Sequence, residues 1–141
     1  MNTTQIGDIT EQKFVLYCLE KEIPISKPVG NNLPYDFIIE YNNQLLKIQV
    51  KTARQSPTSN DTITFNTRSC SKNYNEITTS NYIDTIDYFV TYWDSYWYFV
   101  HISQAAKSEH RIFIGENPKP NQKKFIIKIL FYYKKGFKAY Q

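Results

Sequence analysis

At 141 residues the chain has the size of one domain, residues 1–141, with a core of its own. Twelve Tyr, nine Phe and 41% hydrophobic residues exclude a disordered polymer. A membrane span is not expected either, because Asp94 interrupts "YFVTYWDSYWYFV" and Lys128 interrupts "FIIKILFYY". The net charge of +4 is too small to imply a polyanionic partner, but its distribution is uneven. "KPNQKKFIIKILFYYKKGFK" holds seven lysines and no acid, which makes residues 119–141 a basic C-terminal segment.

In chain order, "MNTTQIGDIT" is polar and lacks the apolar run of a signal peptide. Residues 7–22 read as a helix, with Glu11, Phe14, Val15, Cys18 and Leu19 on a single stripe. Four of these five are apolar and Glu11 is the exception. Asp8-x-x-Glu11 also matches a capping box, so the helix alone leaves Glu11 open to a structural role. Cys18 and Cys70 have neither metal-ligand spacing nor a disulfide framework, which suits a reducing cytoplasm.

A Pro-, Gly- and Asn-rich connection leads to "YDFIIEY" and "LLKIQVKT", two strands joined around Asn42-Asn43. Asn tolerates the positive φ of tight hairpin turns, so an antiparallel hairpin is expected. "ARQSPTSND" reads as a polar loop and "TITFNT" as a further strand. "RSCSKNYNEITTSNY" has no clear period and leaves room for a short helix. "IDYFVTYW" and "YWYFVHIS" form another strand pair around Asp94-Ser95, after which Ser103 is placed to cap a short helix at "QAAK". The tail "KKFIIKILFYYKKGF" fits strand or helix equally. The order implies a mixed α/β domain around one sheet.

In "LLKIQVKTAR", Leu46, Ile48 and Val50 alternate onto one face, leaving Lys47, Gln49 and Lys51 on the other. A hairpin centred on Asn42-Asn43 sets Asp36 opposite residues 49 to 50. Asp36, Gln49 and Lys51 thus converge at one hairpin end, and Glu11 on the preceding helix is a natural fourth member. His101 reads as a satisfied strand-end histidine and His110 as a surface one.

"GDITEQ", "PYDFIIEY" and "KIQVKTAR" together resemble the PD-(D/E)xK nuclease superfamily, over about Gly7 to Ile102. Gln in place of the second acid, followed by Thr-Ala, resembles the small intron-encoded homing endonucleases of cyanobacterial type. The resemblance implies a restriction-endonuclease-like α/β fold and hydrolysis of DNA to a 5′-phosphate and a 3′-hydroxyl. It also implies Mg²⁺, with Mn²⁺ as a substitute, held by Asp36, the Val50 backbone carbonyl and Glu11. Lys51 would orient the attacking water and stabilise the phosphate, and Gln49 would offer a neutral oxygen. Residues of about 53–82 would read DNA through Arg54, Arg68 and Lys72, with Lys123, Lys124, Lys134 and Lys135 adding phosphate contacts. One active site per subunit implies a homo-oligomer, tetramer before dimer, on a palindromic or near-palindromic duplex. A restriction or Holliday-junction endonuclease of this fold, and a catalytically decayed DNA-binding module, are the alternatives.

Overall fold

The computed structural model describes residues 1–73, 76–82 and 84–116, and side chains outside 69–81. It begins with helix α1, Thr3–Glu20, followed by strands β1 (Ile25–Ser26), β2 (Phe37–Tyr41) and β3 (Gln44–Thr52). Next come β4 (Arg54–Ser56), β5 (Ser59–Asn66), β6 (Arg68–Asn73) and β7 (Glu76–Asn81). Then β8 (Tyr88–Trp93), β9 (Tyr96–His101), a 3₁₀ turn at Ile102–Gln104 and β10 (Glu109–Phe113) complete the described elements.

The helix starts earlier than its apolar stripe suggests. Asn2 caps it, accepting from the Gln5 N–H at 2.9 Å, while the Gln5 side chain accepts from the Asn2 N–H at 3.0 Å. This is the capping box, so Asp8 and Glu11 lie in the helix body rather than in its first turn. The start was hidden because the first turn buries nothing. The buried residues are Thr10, Phe14 and Cys18, four apart, whereas Leu19 at the stripe's edge is 62% exposed. Glu22, at φ 58, ends the helix in a Schellman motif: its N–H reaches Leu19 O and the Ile23 N–H reaches Cys18 O.

Five strands form the main sheet in the order β1-β2-β3-β8-β9, antiparallel throughout except for the parallel pair β3 and β8. Both expected hairpins are present. Asn42 and Asn43 (φ 50 and 58) and Asp94 and Ser95 (φ 46 and 69) adopt the paired positive φ of two-residue turns. On one face of the sheet α1 packs Phe14 and Cys18 against Phe37, Ile48, Val50, Trp97 and Phe99. On the other face a second sheet, ordered β10-β5-β4, sets Ile63, Phe65 and Ile112 against Phe89 and Val100. The main sheet is therefore the middle of three layers, and the Gln49–Lys51 end of its polar β3 face is half-buried beneath a second apolar cluster, while Lys47 is exposed.

Several expectations change. The polar loop after Lys51 is instead the β4–β5 hairpin, and "RSCSKNYNEITTSNY" contributes the antiparallel pair β6–β7 in place of a short helix. Hydrophobic alternation reports burial rather than strand pairing, so strands of Ser, Thr, Asn and Arg escape it. Ser103 lies inside the 3₁₀ turn, and His101 is the cap, accepting from the Ser103 N–H at 3.2 Å. His110 is buried on β10 against Phe65, not at the surface, and burial lowers its pKa. Among the described residues α1 is the one α-helix, and no helix is long and apolar enough to cross a membrane. The basic segment 119–141 lies outside the described residues.

Candidate active site

The site forms where β2 and β3 part. Phe37 pairs with Ile48 at the first rung of β2, and the Asp36 N–H still reaches Ile48 O at 2.8 Å. β3 then runs on to Thr52 without β2 beside it. The Lys47 carbonyl is taken by the Asp87 N–H at the head of β8, so Ile48 directs its backbone groups to the β2 side and Gln49 to the β8 side. Val50 again faces the β2 side, where no strand remains. Its N–H donates to the Asp36 carboxylate, to Oδ2 at 2.8 Å. By the same alternation the Val50 carbonyl points into this gap, where the Gln49 amide Nε2 donates to it at a long 3.4 Å.

Glu11 comes from above the sheet. Thr10, 8% exposed, sits with its hydroxyl 3.3 Å from that of Thr52 and donates back to Ile6 O. This contact pins the helix to the last residue of β3 and sets Glu11 over the gap. Burial raises the Glu11 pKa first, and the negative charge of Asp36 raises it further. Burial likewise raises Asp36, against the opposing pull of the Val50 N–H, Lys51 and Lys27. Two partly desolvated carboxylates thus repel each other across the gap, with Lys27 offsetting part of that repulsion at both. Lys27 directly follows β1, where Ser26 pairs with Ile38 one residue inside the start of β2.

Lys51 and Gln49 project to the opposite side, towards the layer of the second sheet. The Lys51 Nζ donates to the Tyr82 hydroxyl at 3.1 Å and lies 4.6 Å from that ring's centroid. Tyr82 is 8% exposed, so its ring is held by the core cluster and gives the ammonium a fixed rest position. The structure therefore brings together Glu11, Asp36, Gln49, Val50 and Lys51, though around a gap in the sheet rather than on a single face. Lys27, Thr10 and Tyr82 were missed, since each reaches the site from an element with no local pattern pointing there.

Among the expected DNA contacts, Arg54 is already engaged, with Nη2 2.8 Å from Glu109 Oε2. The Arg68 Nε donates to Lys107 O at 3.2 Å, and Lys72 lies on β6. Lys123, Lys124, Lys134 and Lys135 fall outside the described residues.

The donor set in the gap is entirely hard oxygen: two carboxylates and one carbonyl. Among the described residues no three His, Cys, Asp or Glu side chains gather, here or elsewhere, so the carboxylates of the gap number two. Two mutually repelling carboxylates beside an outward carbonyl suit a divalent cation that retains several waters, so Asp36, Glu11 and the Val50 carbonyl fit such a group.

This fold is that of a nuclease. The chain belongs to the PD-(D/E)XK endonuclease family, whose model matches residues 1–134. Enzymes of this family generally use divalent metals, and their substrate is DNA. Among solved structures the chain is similar to a bacterial homing endonuclease, I-Ssp6803I, with a TM-score of 0.72 and 25% identity over 100% of this chain and 99% of that one. Comparison with curated proteins finds no match.

The burial of Glu11, with the Asp36 charge beside it, has a measurable consequence. Because folding raises the Glu11 pKa, its contribution to stability is greatest below the ordinary carboxylate range and declines as pH rises through the raised folded value. Glu11→Gln should therefore stabilise the metal-free protein at neutral pH, with the gain vanishing as acid protonates the parent. Urea denaturation in EDTA at several pH values measures this, and a variant less stable than the parent at neutral pH contradicts it.

Tyr82→Phe keeps the ring but removes the hydroxyl acceptor. It should leave DNA affinity within about twofold while slowing cleavage about tenfold, in keeping with one lost hydrogen bond to a charged group. Single-turnover rates beside gel-shift affinities test this, and an unchanged rate would show that the Lys51–Tyr82 contact does not matter to the chemistry.

Proposed function

We propose that the chain is a site-specific DNA endonuclease, intron-encoded and acting in homing, which hydrolyses phosphodiester bonds with Mg²⁺, or with Mn²⁺ in its place. One observation carries this reading: the Asp36 carboxylate and the Val50 carbonyl meet in one gap of the sheet under Glu11, with Lys51 the next residue. A divalent cation held there would lower the pKa of a water and offset charge at the phosphate. The chain does the rest. Asp36, Glu11 and the Val50 carbonyl bind and orient the ion. The Lys51 ammonium donates to a phosphate oxygen and holds the attacking water in line. The Gln49 amide already touches Val50 O, and turning it over would offer the gap an oxygen without adding charge.

The product is a 5′-phosphate and a 3′-hydroxyl. Arg54, Arg68, Lys72 and the lysines of residues 119–141 serve the DNA, and the whole chain acts as one nuclease domain in a reducing cytoplasm. One site per chain calls for self-association to cut both strands, as a tetramer before a dimer, on a palindromic or near-palindromic target.

A plasmid library carrying randomised inserts tests the reading. No cleavage is expected in EDTA, and Mg²⁺ or Mn²⁺ should restore it. Lys51→Ala should cut about 10²–10³-fold more slowly while still shifting DNA in a gel. Cleavage in EDTA at the Mg²⁺ rate, or normal cutting by Lys51→Ala, would overturn the site. A monomer by light scattering with DNA bound would overturn the assembly.

A further inference from the structure

The second sheet has an outer face with its own arrangement of charge. Ile63, Phe65 and Ile112 point into the core, so Thr64 and Asn66 of β5 face outward. The register aligns Arg54, Thr64 and Arg111 as one row across the three strands, with Glu109 opposite Asn66 in the next row. Thr64 is 1% exposed, so the row presents only its two guanidinium groups. Glu109 lies between them. Its Oε2 is 2.8 Å from Arg54 Nη2, its Oε1 is 3.9 Å from Arg111 Nε, and Arg54 Nη2 also meets Asn66 Oδ1 at 3.4 Å. The side chains of Arg54 and Arg111 nevertheless remain 52% and 65% exposed.

Along the chain this face begins close to the candidate active site. Only Thr52 and Ala53 separate Lys51 from Arg54 along the chain. At about 3.3 Å per extended residue that is roughly 10 Å, about three base-pair steps. Arg54 therefore lies within about three base-pair steps of a phosphate held at Lys51. A patch meant only for phosphate gains nothing from a carboxylate, which lowers its charge. A carboxylate gripping one guanidinium from the side, and standing beside a second, instead fixes the direction in which their remaining N–H donors point. Directed arginine forks are what guanine edges in the major groove require.

Resting on the endonuclease reading, we propose that Arg54 and Arg111 determine sequence specificity about three base pairs from the cut, and that Glu109 is the positioning residue that aims them. The bland alternative is an exposed cross-strand ion pair with little effect on anything.

The test is cleavage-site selection from randomised duplex DNA by the full chain, alongside binding at several salt concentrations. The parent should enrich guanine near the cut. Arg111→Ala should lose about tenfold or more of the preference at one position and leave the others intact. Glu109→Gln should flatten the same region while binding unselected DNA as well as the parent or better, since a negative charge is gone. Unchanged base profiles in both variants, with cleavage retained, would overturn the proposal and leave the endonuclease reading standing. It is equally overturned if Arg111→Ala weakens all sequences alike and lowers the salt slope by about one, the behaviour of a phosphate contact. A parent that neither binds nor cuts duplex DNA would remove both readings.

Discussion

The hydrogen bond from the Val50 N–H to the Asp36 carboxylate is the contact on which the site depends. Wherever two strands of a sheet part, the longer one is left with unpaired backbone groups, and leaving such groups unmet is costly. Here a side chain replaces the missing strand. Asp36 stands one residue before β2, still tied by its own N–H to Ile48 O, so its carboxylate reaches the next outward N–H along β3. The same turn of the backbone aims the Val50 carbonyl into the gap. A structural requirement and a candidate donor set for a cation thus share one geometry.

The layers on either side complete it. Phe14 and Cys18 fix α1 against the sheet, the Thr10–Thr52 contact fixes its rotation over the end of β3, and Glu11 follows in the gap. Beneath, the Phe89 and Tyr82 cluster receives Lys51. The opposed charges approach the gap from opposite faces of one sheet, which keeps the lysine from collapsing onto the carboxylates. The cost is first the burial of two carboxylates and then the Asp36 charge felt at Glu11, which Lys27 reduces but does not abolish. A divalent cation would relieve it.

Most of this frame was legible locally. Asn42-Asn43 fixed the hairpin, and its register, ending at Phe37 opposite Ile48, leaves Asp36 beside Gln49 and Val50 with Lys51 next along β3. What escaped depends on contacts far apart in the chain. The helix start escaped because Asn2 and Gln5 satisfy each other without burying anything. Tyr82 escaped because it belongs to no regular strand, and His110 because β10 becomes interior only when paired with β5. The β4–β5 and β6–β7 pairs escaped since their polar residues carry no alternation to read. Spacing alone grouped Asp36, Gln49, Lys51 and Glu11; family resemblance supplied the expectation that such a group binds a metal and hydrolyses DNA.

The most direct test is Asp36→Asn, because an Asn oxygen can still accept from the Val50 N–H while the charge is lost. The variant should fold with at least the parent's stability, since a carboxylate whose pKa burial raises has gone. It should also lose detectable DNA cleavage, and its Mn²⁺ affinity by titration calorimetry should fall about tenfold or more. A folded Asp36→Asn protein that binds Mn²⁺ and cuts DNA like the parent would contradict the account.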